Sequence, residues 1–322
     1  MRSVGIVLVA VVVAALFSAA PSARADKIVF ERIEKRRCVS GPGYCETARL
    51  VVMRSDGSAK RRLPRFGATT WWDVSRDGQR LVWAYKDDTI RTGTLTGKRM
   101  RIAWRGGERH TPLQPRWSPS GRQIAATLTA EPPDDWGGPY TQIFVIRPGR
   151  GRARQLHTPG VHTAAPSWSP DGRRIAAGGY RQHFTCTGPV WLPACQTTFT
   201  YGLWIIDVAS GATREIPQDA PVGLPAWSPD GRTIAFSRFA TPDQPEQDQL
   251  WLIRPDGAGL RQLTDLPGGG AGPSWSPNGR RLAFETDVHT QQRRNIATIR
   301  PDGSGFRRLT HGGINLDPVW SR

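Results

Sequence analysis

The stretch Pro166-Ser167-Trp168-Ser169-Pro170-Asp171-Gly172-Arg173, followed at once by the aliphatic run Ile175-Ala176-Ala177, decides the fold of this chain. Measured between the residues at the position of Ser169, related phrases recur 43 to 59 residues apart. A repeat of this length predicts a propeller or a solenoid. The other copies are residues 115–122, 225–232 and 273–280, a degenerate copy at 72–78, and a broken last copy at 318–322.

Each repeat predicts four short strands, a to d. Strand a ends at the Trp, the Ser-Pro-Asp-Gly turn follows, and strand b is the aliphatic run. Strand c comes after a variable loop, as in residues 203–207, and a second tight turn leads to strand d, as in residues 260–264. In these turns Pro presets φ, Asp bonds back to the backbone, and Gly supplies the positive φ that the hairpin needs.

The two ends of the chain complete one blade. Residues 319–322 repeat the end of strand a, whereas residues 26–30 look like strand b, 48–54 like strand c and 61–63 like strand d. The prediction is an all-β fold: a six-bladed β-propeller whose last blade is shared by the N-terminal and C-terminal strands. Such closure removes exposed sheet edges. The repeated indoles are expected to pack between neighbouring blades.

The first 25 residues predict a cleaved signal peptide, and residues 26–322 the propeller domain. An early Arg2, an apolar run over 4–17 and the small-residue exit Ala23-Arg24-Ala25 are typical of secretory leaders. The apolar run is too short for a bilayer span, and we expect a monomer without transmembrane segments, secreted or held in the cell envelope or periplasm. Cleavage lowers the formal net charge from +17 to +15, which favours association with anionic surfaces.

Four cysteines form two close pairs in sequence, Cys38 with Cys45 and Cys186 with Cys195. In an exported chain two short-loop disulfides are the expected pairing. A zinc site is the rival interpretation, but neither a Cys-x-x-Cys nor a Cys-x-x-His spacing supports it.

The Trp-Ser-Pro-Asp-Gly and Arg-Pro-Asp-Gly turns resemble the WD40-like (PD40) repeats of TolB-type six-bladed propellers, and the resemblance covers nearly all of residues 26–322. It implies a propeller that serves as a partner-binding domain, as the gating domain of prolyl-oligopeptidase-like enzymes or as the body of polysaccharide-acting enzymes. The α/β domain that precedes the propeller in TolB has no counterpart here, which argues against a Tol-Pal role. No Gly-x-Ser-x-Gly elbow is present, which argues against a peptidase.

The predicted binding face carries the b–c and d–a connections, because these vary while the a–b and c–d turns repeat. Four b–c insertions are expected as loops: residues 32–47, 130–140, 180–201 and 239–249. Aromatic side chains in such loops bind partners or stack on sugars, or else pack on their own loops. The candidates are Trp136, Tyr140, Tyr180, His183 and Trp191.

Histidines in the d–a connections are the only hint of metal chemistry. His110, His162 and His311 are expected on the same face near the channel, and converging imidazoles could bind a divalent ion. No His-x-His or His-x-x-x-His spacing supports this, so no cofactor or metal is predicted.

The sequence therefore predicts an exported, non-catalytic scaffold that binds a protein or glycan of the cell envelope through its loop face. One alternative is a carbohydrate-active propeller enzyme of the metal-assisted lyase type. Another is a non-specific polyanion-binding surface protein, since the turn side and the outer strands are rich in Lys and Arg. No specific nucleic-acid motif is present.

Overall fold

A computed structural model describes residues 26–321, except 38–43, 65, 67–68, 86–87, 107–109, 131–139, 151, 188–193, 240–247 and 289–292. Side chains at 35–37, 44–46, 69–70, 130, 140 and 194 are also outside the description. In chain order the strands are β1 (Lys27–Arg37), β2 (Tyr44–Arg54), β3 (Arg61–Arg62), β4 (Thr69–Val74), β5 (Arg80–Tyr85), β6 (Thr89–Thr94), β7 (Arg101–Arg105), β8 (Pro112–Trp117), β9 (Ile124–Ala130), β10 (Tyr140–Ile146), β11 (Ala153–Leu156), β12 (His162–Trp168), β13 (Arg174–Thr187), β14 (Ala194–Asp207), β15 (Thr213–Gln218), β16 (Val222–Trp227), β17 (Ile234–Arg238), β18 (Gln249–Ile253), β19 (Arg261–Gln262), β20 (Gly270–Trp275), β21 (Leu282–Thr286), β22 (Asn295–Ile299), β23 (Arg307–Arg308) and β24 (Ile314–Ser321).

These strands form six four-stranded antiparallel sheets, and the predicted six-bladed propeller is confirmed. Blade 1 has the order β24-β1-β2-β3, so the end of the chain supplies its first strand, as predicted. Blades 2 to 6 are β4–β7, β8–β11, β12–β15, β16–β19 and β20–β23. The described residues include no helix long and apolar enough to cross a membrane.

The a–b turn is held by its own side chains. In blade 4 the Ser169 hydroxyl donates to Asp171 Oδ1 (2.5 Å) and accepts the Arg174 N–H (2.9 Å). Gly172 has φ 70°, a left-handed conformation that most side chains disfavour. Each Ser-Pro-x-Gly copy closes the same turn, and the blades that carry it therefore share the same backbone conformation between strands a and b.

The indoles pack between blades, as expected. Trp168 is buried among Ala125 and Ile143 of blade 3 and Ile175 of blade 4, and its Nε1–H donates to the Arg116 carbonyl oxygen (3.2 Å). Trp320 joins the apolar clusters of blades 1 and 6 in the same way. Burial of a large aromatic side chain contributes on the order of 3 kcal/mol, so each motif Trp supports two blades.

A shift in pairing interrupts strand a in all six blades, and in five of them, every blade but blade 2, one residue of the bulge has a positive φ between 49° and 63°. The bulges are visible as shifts in the pairing of strand a with strand b. A positive φ is costly for residues other than Gly, so the surrounding contacts must stabilise these bulges. The five residues are Gln114, Ala165, Leu224, Gly272 and Asp317.

A side chain from the preceding blade binds the bulge N–H at three of these positions. We call this hydrogen bond the latch. The Ala165 N–H donates to Thr127 Oγ1 (3.0 Å), and the Gly272 N–H donates to Ser237 Oγ (2.9 Å). The third latch joins the Asp317 N–H to Glu285 Oε1 (2.8 Å). Thr127, Ser237 and Glu285 occupy the same position of strand b. In these three blades that position therefore accepts the hydrogen bond from the bulge of the next blade.

Arginines on the outer side of the ring also join blades. Arg154 donates to the Val208 carbonyl oxygen of the next blade, Arg214 to that of Asp256 (3.1 Å), and Arg261 to that of Pro301. Part of the high Arg content therefore stabilises the fold.

Two of the four insertions predicted as loops contain strands instead. Residues 180–187 and 194–201 extend β13 and β14 into a hairpin of two 14-residue strands, and residues 32–37 and 44–47 extend β1 and β2. In the longer hairpin the physical reason lies in composition, since the Thr, Tyr and Phe residues of 180–187 and 194–201 favour strands. Most of the insertion at 130–140 and that at 239–249 lies outside the described residues.

Candidate functional site

Among the residues that the structure describes, the long hairpin of blade 4 is the largest departure from the repeat on the loop face. Its strands continue seven residues beyond Tyr180, and Cys186 pairs directly with Cys195 near the far end. These two cysteines form the predicted disulfide, whose S–S distance is 2.07 Å. The hairpin is therefore a covalently closed, fully paired extension of the blade. Cys38 lies outside the described residues, so its pairing with Cys45 stays a prediction.

The aromatic side chains of this hairpin share one face, which we call the aromatic face: Tyr180, Phe184, Phe199 and Tyr201. In the register, Tyr180 pairs with Tyr201 and Phe184 with Thr197, and side chains alternate between the two faces of a sheet. The Tyr180 and Phe199 ring centroids are 5.6 Å apart in a T-shaped arrangement. Phe184 and Phe199 are 57% and 46% exposed, which is unusual for large apolar side chains.

His162 extends the aromatic face toward the channel. Its ring stacks on Tyr180 with centroids 4.4 Å apart and an interplanar angle of 7°. Burial lowers the pKa of His162, so the stacked imidazole is neutral around pH 7. Burial likewise raises the pKa of Tyr180, which therefore keeps its hydroxyl proton.

A cavity of about 300 Å³ adjoins this stack at the loop-face end of the channel; blades 4 and 5 supply most of its walls, and Trp71, Gln114 and Thr141 of blades 2 and 3 complete them. Two glycines allow the strands beside the cavity to approach each other closely. A Cβ at Gly178 would collide with the Val222 carbonyl oxygen, and a Cβ at Gly179 would collide with the His162 carbonyl oxygen. Glycine is thus required where the strands approach each other. The walls are largely apolar and include His162, Tyr180, Tyr201, Val222, Leu224 and Phe239.

The other predicted site residues that the structure describes lie away from the aromatic face and its cavity. His183 lies on the opposite face of the hairpin, where its Nε2 is 3.1 Å from Thr200 Oγ1. His110 packs edge-on against Trp104 and Phe144, at centroid distances of 6.4 and 6.0 Å. His311 is exposed in the connection that precedes β24. Trp136 and Trp191 lie outside the described residues, as does the side chain of Tyr140, whose backbone begins β10.

Within the described ranges, no three His, Cys, Asp or Glu side chains form a group that could hold a metal ion. His110, His162 and His311 are therefore not brought together as a ligand set. The metal-assisted enzyme proposed as an alternative gains no support from these histidines.

The opposite end of the channel carries carboxylates that the sequence analysis did not single out. A cavity of about 260 Å³ is lined there by the motif Trp and Pro residues together with Asp73, Arg116 and Asp317. Burial raises the pKa of Asp73 to about 6, against the opposing effects of Arg116 and of the Trp117 N–H, which donates to Asp73 Oδ2 (2.8 Å). This end of the channel is thus charged, unlike the apolar cavity on the loop face.

Two further carboxyl groups, Glu31 and Glu285, are buried near Asp317. Burial, and then the charge of Asp317, raises the pKa of Glu31 to about 7 and that of Glu285 to about 8. Glu285 Oε1 accepts the latch bond from Asp317, and Oε2 lies 3.4 Å from the Arg294 guanidinium. A sequence signal existed, because Glu31 and Glu285 follow the aliphatic run of strand b, where the other blades carry Ala, Thr, Gly or Ser.

Solved structures with the same architecture include TolB proteins. A protein assigned as TolB from Agrobacterium tumefaciens superposes with a TM-score of 0.62 at 19% identity, covering 91% of each chain. TolB from Acinetobacter baumannii gives a TM-score of 0.62 at 15% identity, covering 92% of this chain and 67% of that one. The chain therefore has the TolB-like six-bladed propeller fold. No protein-family model matches it, so the PD40 repeat assignment stays a prediction.

Curated sequence relatives match shorter segments. The Tol-Pal system protein TolB of Anaeromyxobacter dehalogenans is 35% identical over 139 residues, which is 39% of this chain and 27% of the relative. The uncharacterized peptidase YuxL of Bacillus subtilis is 28% identical over 181 residues, which is 50% of this chain and 25% of the relative. The matched segments thus span about a quarter of the length of these two relatives.

Proposed function

We propose that this protein is an exported, non-catalytic scaffold that binds a protein of the cell envelope through its loop face. The observation that carries the proposal is the aromatic face of the blade 4 hairpin beside the apolar cavity between blades 4 and 5. Likeness to a relative named as the Tol-Pal system protein TolB supports a protein-binding scaffold. The sequence predicts Trp136, Tyr140 and Trp191 for the loop face as well, although Trp136, Trp191 and the side chain of Tyr140 lie outside the described residues.

The chemistry of the cavity favours a protein partner over a glycan. A sugar would need hydrogen-bond partners for its hydroxyl groups, and burying them unpaired costs about 1–3 kcal/mol each. The largely apolar walls offer few such groups, and Gln114 Oε1 already accepts the Ala165 N–H (2.8 Å). An apolar side chain fits instead, while the exposed Phe184 and Phe199 supply the rigid aromatic contacts common at interface centres.

The construction of the hairpin also suits binding. Cross-strand pairing along its whole length and the Cys186–Cys195 disulfide hold the aromatic side chains in place before a partner arrives. Preorganisation of this kind lowers the entropy cost of association. The disulfide, together with the predicted signal peptide, supports export to an oxidising compartment.

The test is capture from an envelope extract of the producing organism by the immobilised mature chain, with bound proteins quantified by mass spectrometry. Substituting Phe184→Ser and Phe199→Ser together should lower the yield of the specific partner at least about tenfold, as expected when central aromatic contacts are lost. The matched control is Leu260→Ser with Phe306→Ser, which removes two apolar side chains of similar exposure, 43% and 42%, from another surface.

Equal losses in both double variants would show that the loop face is not the binding surface. If protease treatment of the extract left a competitor that still blocks capture, the partner would be a glycan, and the protein-binding proposal would be wrong. Thermal unfolding of each variant checks that the fold is intact.

A further inference from the structure

Blades 2 and 3 carry a strongly basic surface at the turn side of the ring. Residues 93–105, 112–130 and 141–170 contain no Asp or Glu at all. The cations there are exposed at the c–d turns, at one a–b turn and along the outermost strands. We call this surface the basic rim; it comprises Lys98, Arg99, Arg101, Arg122, Arg147, Arg150 and Arg152.

The excess of charge arises because the acidic residues found in the c–d turns of other blades are missing from the c–d turns of blades 2 and 3. The c–d turns of blades 1, 5 and 6 carry Asp56, Asp256 and Asp302, and Asp256 lies 3.3 Å from the Arg254 guanidinium. The corresponding residues are Thr96 in blade 2 and Gly149 in blade 3. The cations of the basic rim therefore lack the neutralising partner that the same turn supplies elsewhere.

Two exposed apolar side chains lie among these cations. Met100 and Ile102 are 56% and 46% exposed, and they alternate with Arg99 and Arg101 over residues 98–102, Lys-Arg-Met-Arg-Ile. Arg101 and Ile102 belong to the outermost strand of blade 2, which hydrogen-bonds to a neighbour on one side only. Apolar side chains that protrude from a basic surface are characteristic of proteins that lie on anionic membranes.

We propose that the basic rim binds the surface of an anionic phospholipid membrane, with Met100 and Ile102 inserted at the level of the acyl chains. The cations would attract the headgroups, and the two apolar side chains would add a contribution that a soluble polyanion cannot provide. The turn side and the loop face lie at opposite ends of the ring, so a membrane-bound molecule would still present its aromatic face. The proposal does not depend on the identity of the loop-face partner.

The test is co-sedimentation of the mature chain with vesicles of phosphatidylcholine alone or mixed equally with phosphatidylglycerol, at low and high salt. We expect binding to the mixed vesicles only, weakened by salt. Each cation near an anionic surface contributes a factor of about five, so Lys98→Gln/Arg99→Gln/Arg101→Gln should lower the partition coefficient roughly 100-fold. Met100→Ser/Ile102→Ser should lower it several-fold and remove the binding that persists at high salt.

The matched control is Arg232→Gln/Arg280→Gln/Arg307→Gln, which removes the same charge from exposed positions of blades 5 and 6. It should change the partition coefficient by no more than about twofold. An equal loss in the control would mean that net charge alone drives binding and would overturn the assignment to blades 2 and 3. Binding to soluble dextran sulfate but not to mixed vesicles, or no effect of Met100→Ser/Ile102→Ser, would overturn the membrane proposal.

Discussion

Two interfaces differ at the same position of the repeat. Between blades 6 and 1 this position of strand b carries a hydrogen-bond acceptor, whereas between blades 4 and 5 it carries glycine. At the first, Glu285 reaches across to the Asp317 N–H (2.8 Å) and latches the bulge. At the second, the position of Glu285 is taken by Gly178, and the position of Asp317 by Leu224. Both bulge residues have nearly the same φ, 49° and 50°. The backbone is thus repeated, while the side chains differ.

The difference shows how the same backbone provides a hydrogen-bonded interface between one pair of blades and a cavity beside another pair. Where strand b provides an acceptor, the blades are joined by a hydrogen bond that is shielded from water. Where it provides glycine, the strands approach each other closely and a cavity remains beside the bulge. The joint that closes the ring is latched, and the joint beside the aromatic face is not. The aromatic face therefore lies at a different joint from the one that closes the ring.

The largest effect should come from breaking the latched joint. Ending the chain at Pro318 removes three residues that pair with Lys27, Ile28 and Val29, and it removes the buried Trp320. Loss of one buried Trp alone costs about 3–5 kcal/mol, so we expect the Tm to fall by roughly 10 °C or more. Differential scanning calorimetry measures this. An unchanged Tm would contradict ring closure, and Leu260→Ser, at a position that is 43% exposed, serves as the near-neutral control.

A second prediction concerns the pH dependence that the buried carboxyls give to this joint. The folded-state pKa of Glu31, about 7, exceeds its ordinary value of 4.5, so the folded protein binds more protons than the unfolded chain between these values. The contribution of Glu31 to the free energy of unfolding is therefore fully present below pH 4.5 and is lost as the pH rises through about 7. Glu31→Gln should abolish this loss, which amounts to up to about 3 kcal/mol.

Urea unfolding of the wild type and of Glu31→Gln across this pH range tests the prediction. The two proteins should diverge as the pH rises, with the variant more stable at the alkaline end. Parallel pH profiles would show that Glu31 ionises normally in the folded protein. Thr213→Ala, at an exposed position, removes no ionisable group and should leave the profile unchanged.

The smallest predicted effect comes from removing a single latch hydrogen bond. Ser237→Ala removes the acceptor of the Gly272 N–H and should lower the free energy of unfolding by about 1–2 kcal/mol, because the N–H stays buried without its partner. Ser58→Ala, at an exposed turn, should change it by less than about 0.5 kcal/mol. Equal changes in the two variants, measured by chemical denaturation, would show that the latch does not stabilise the joint.

Much of the fold, but less of the site, could be predicted from the sequence. The turn phrase around Ser169 and the unmatched strands at the two termini were enough for six closed blades. The hairpin at 180–201 was predicted as a loop, although alternating Thr and aromatic residues indicated strands. Tyr180 and His162 were identified, but Phe184 and Phe199 were not. Their importance depends on sharing one face of a register that the disulfide and the neighbouring blade fix.

Short-range repetition was enough to predict the turns, the four-strand order, the blade count and the interblade role of the motif Trp. These features follow because each repeat specifies the same local hydrogen bonds and the same apolar face. The contacts between blades, in contrast, became visible in the folded ring alone. Glu31, Glu285 and Asp317 come from opposite ends of the chain, and the cavity beside Gly178 depends on how closely the first strand of blade 5 approaches. Such contacts are set by ring closure, which is a property of all six blades together.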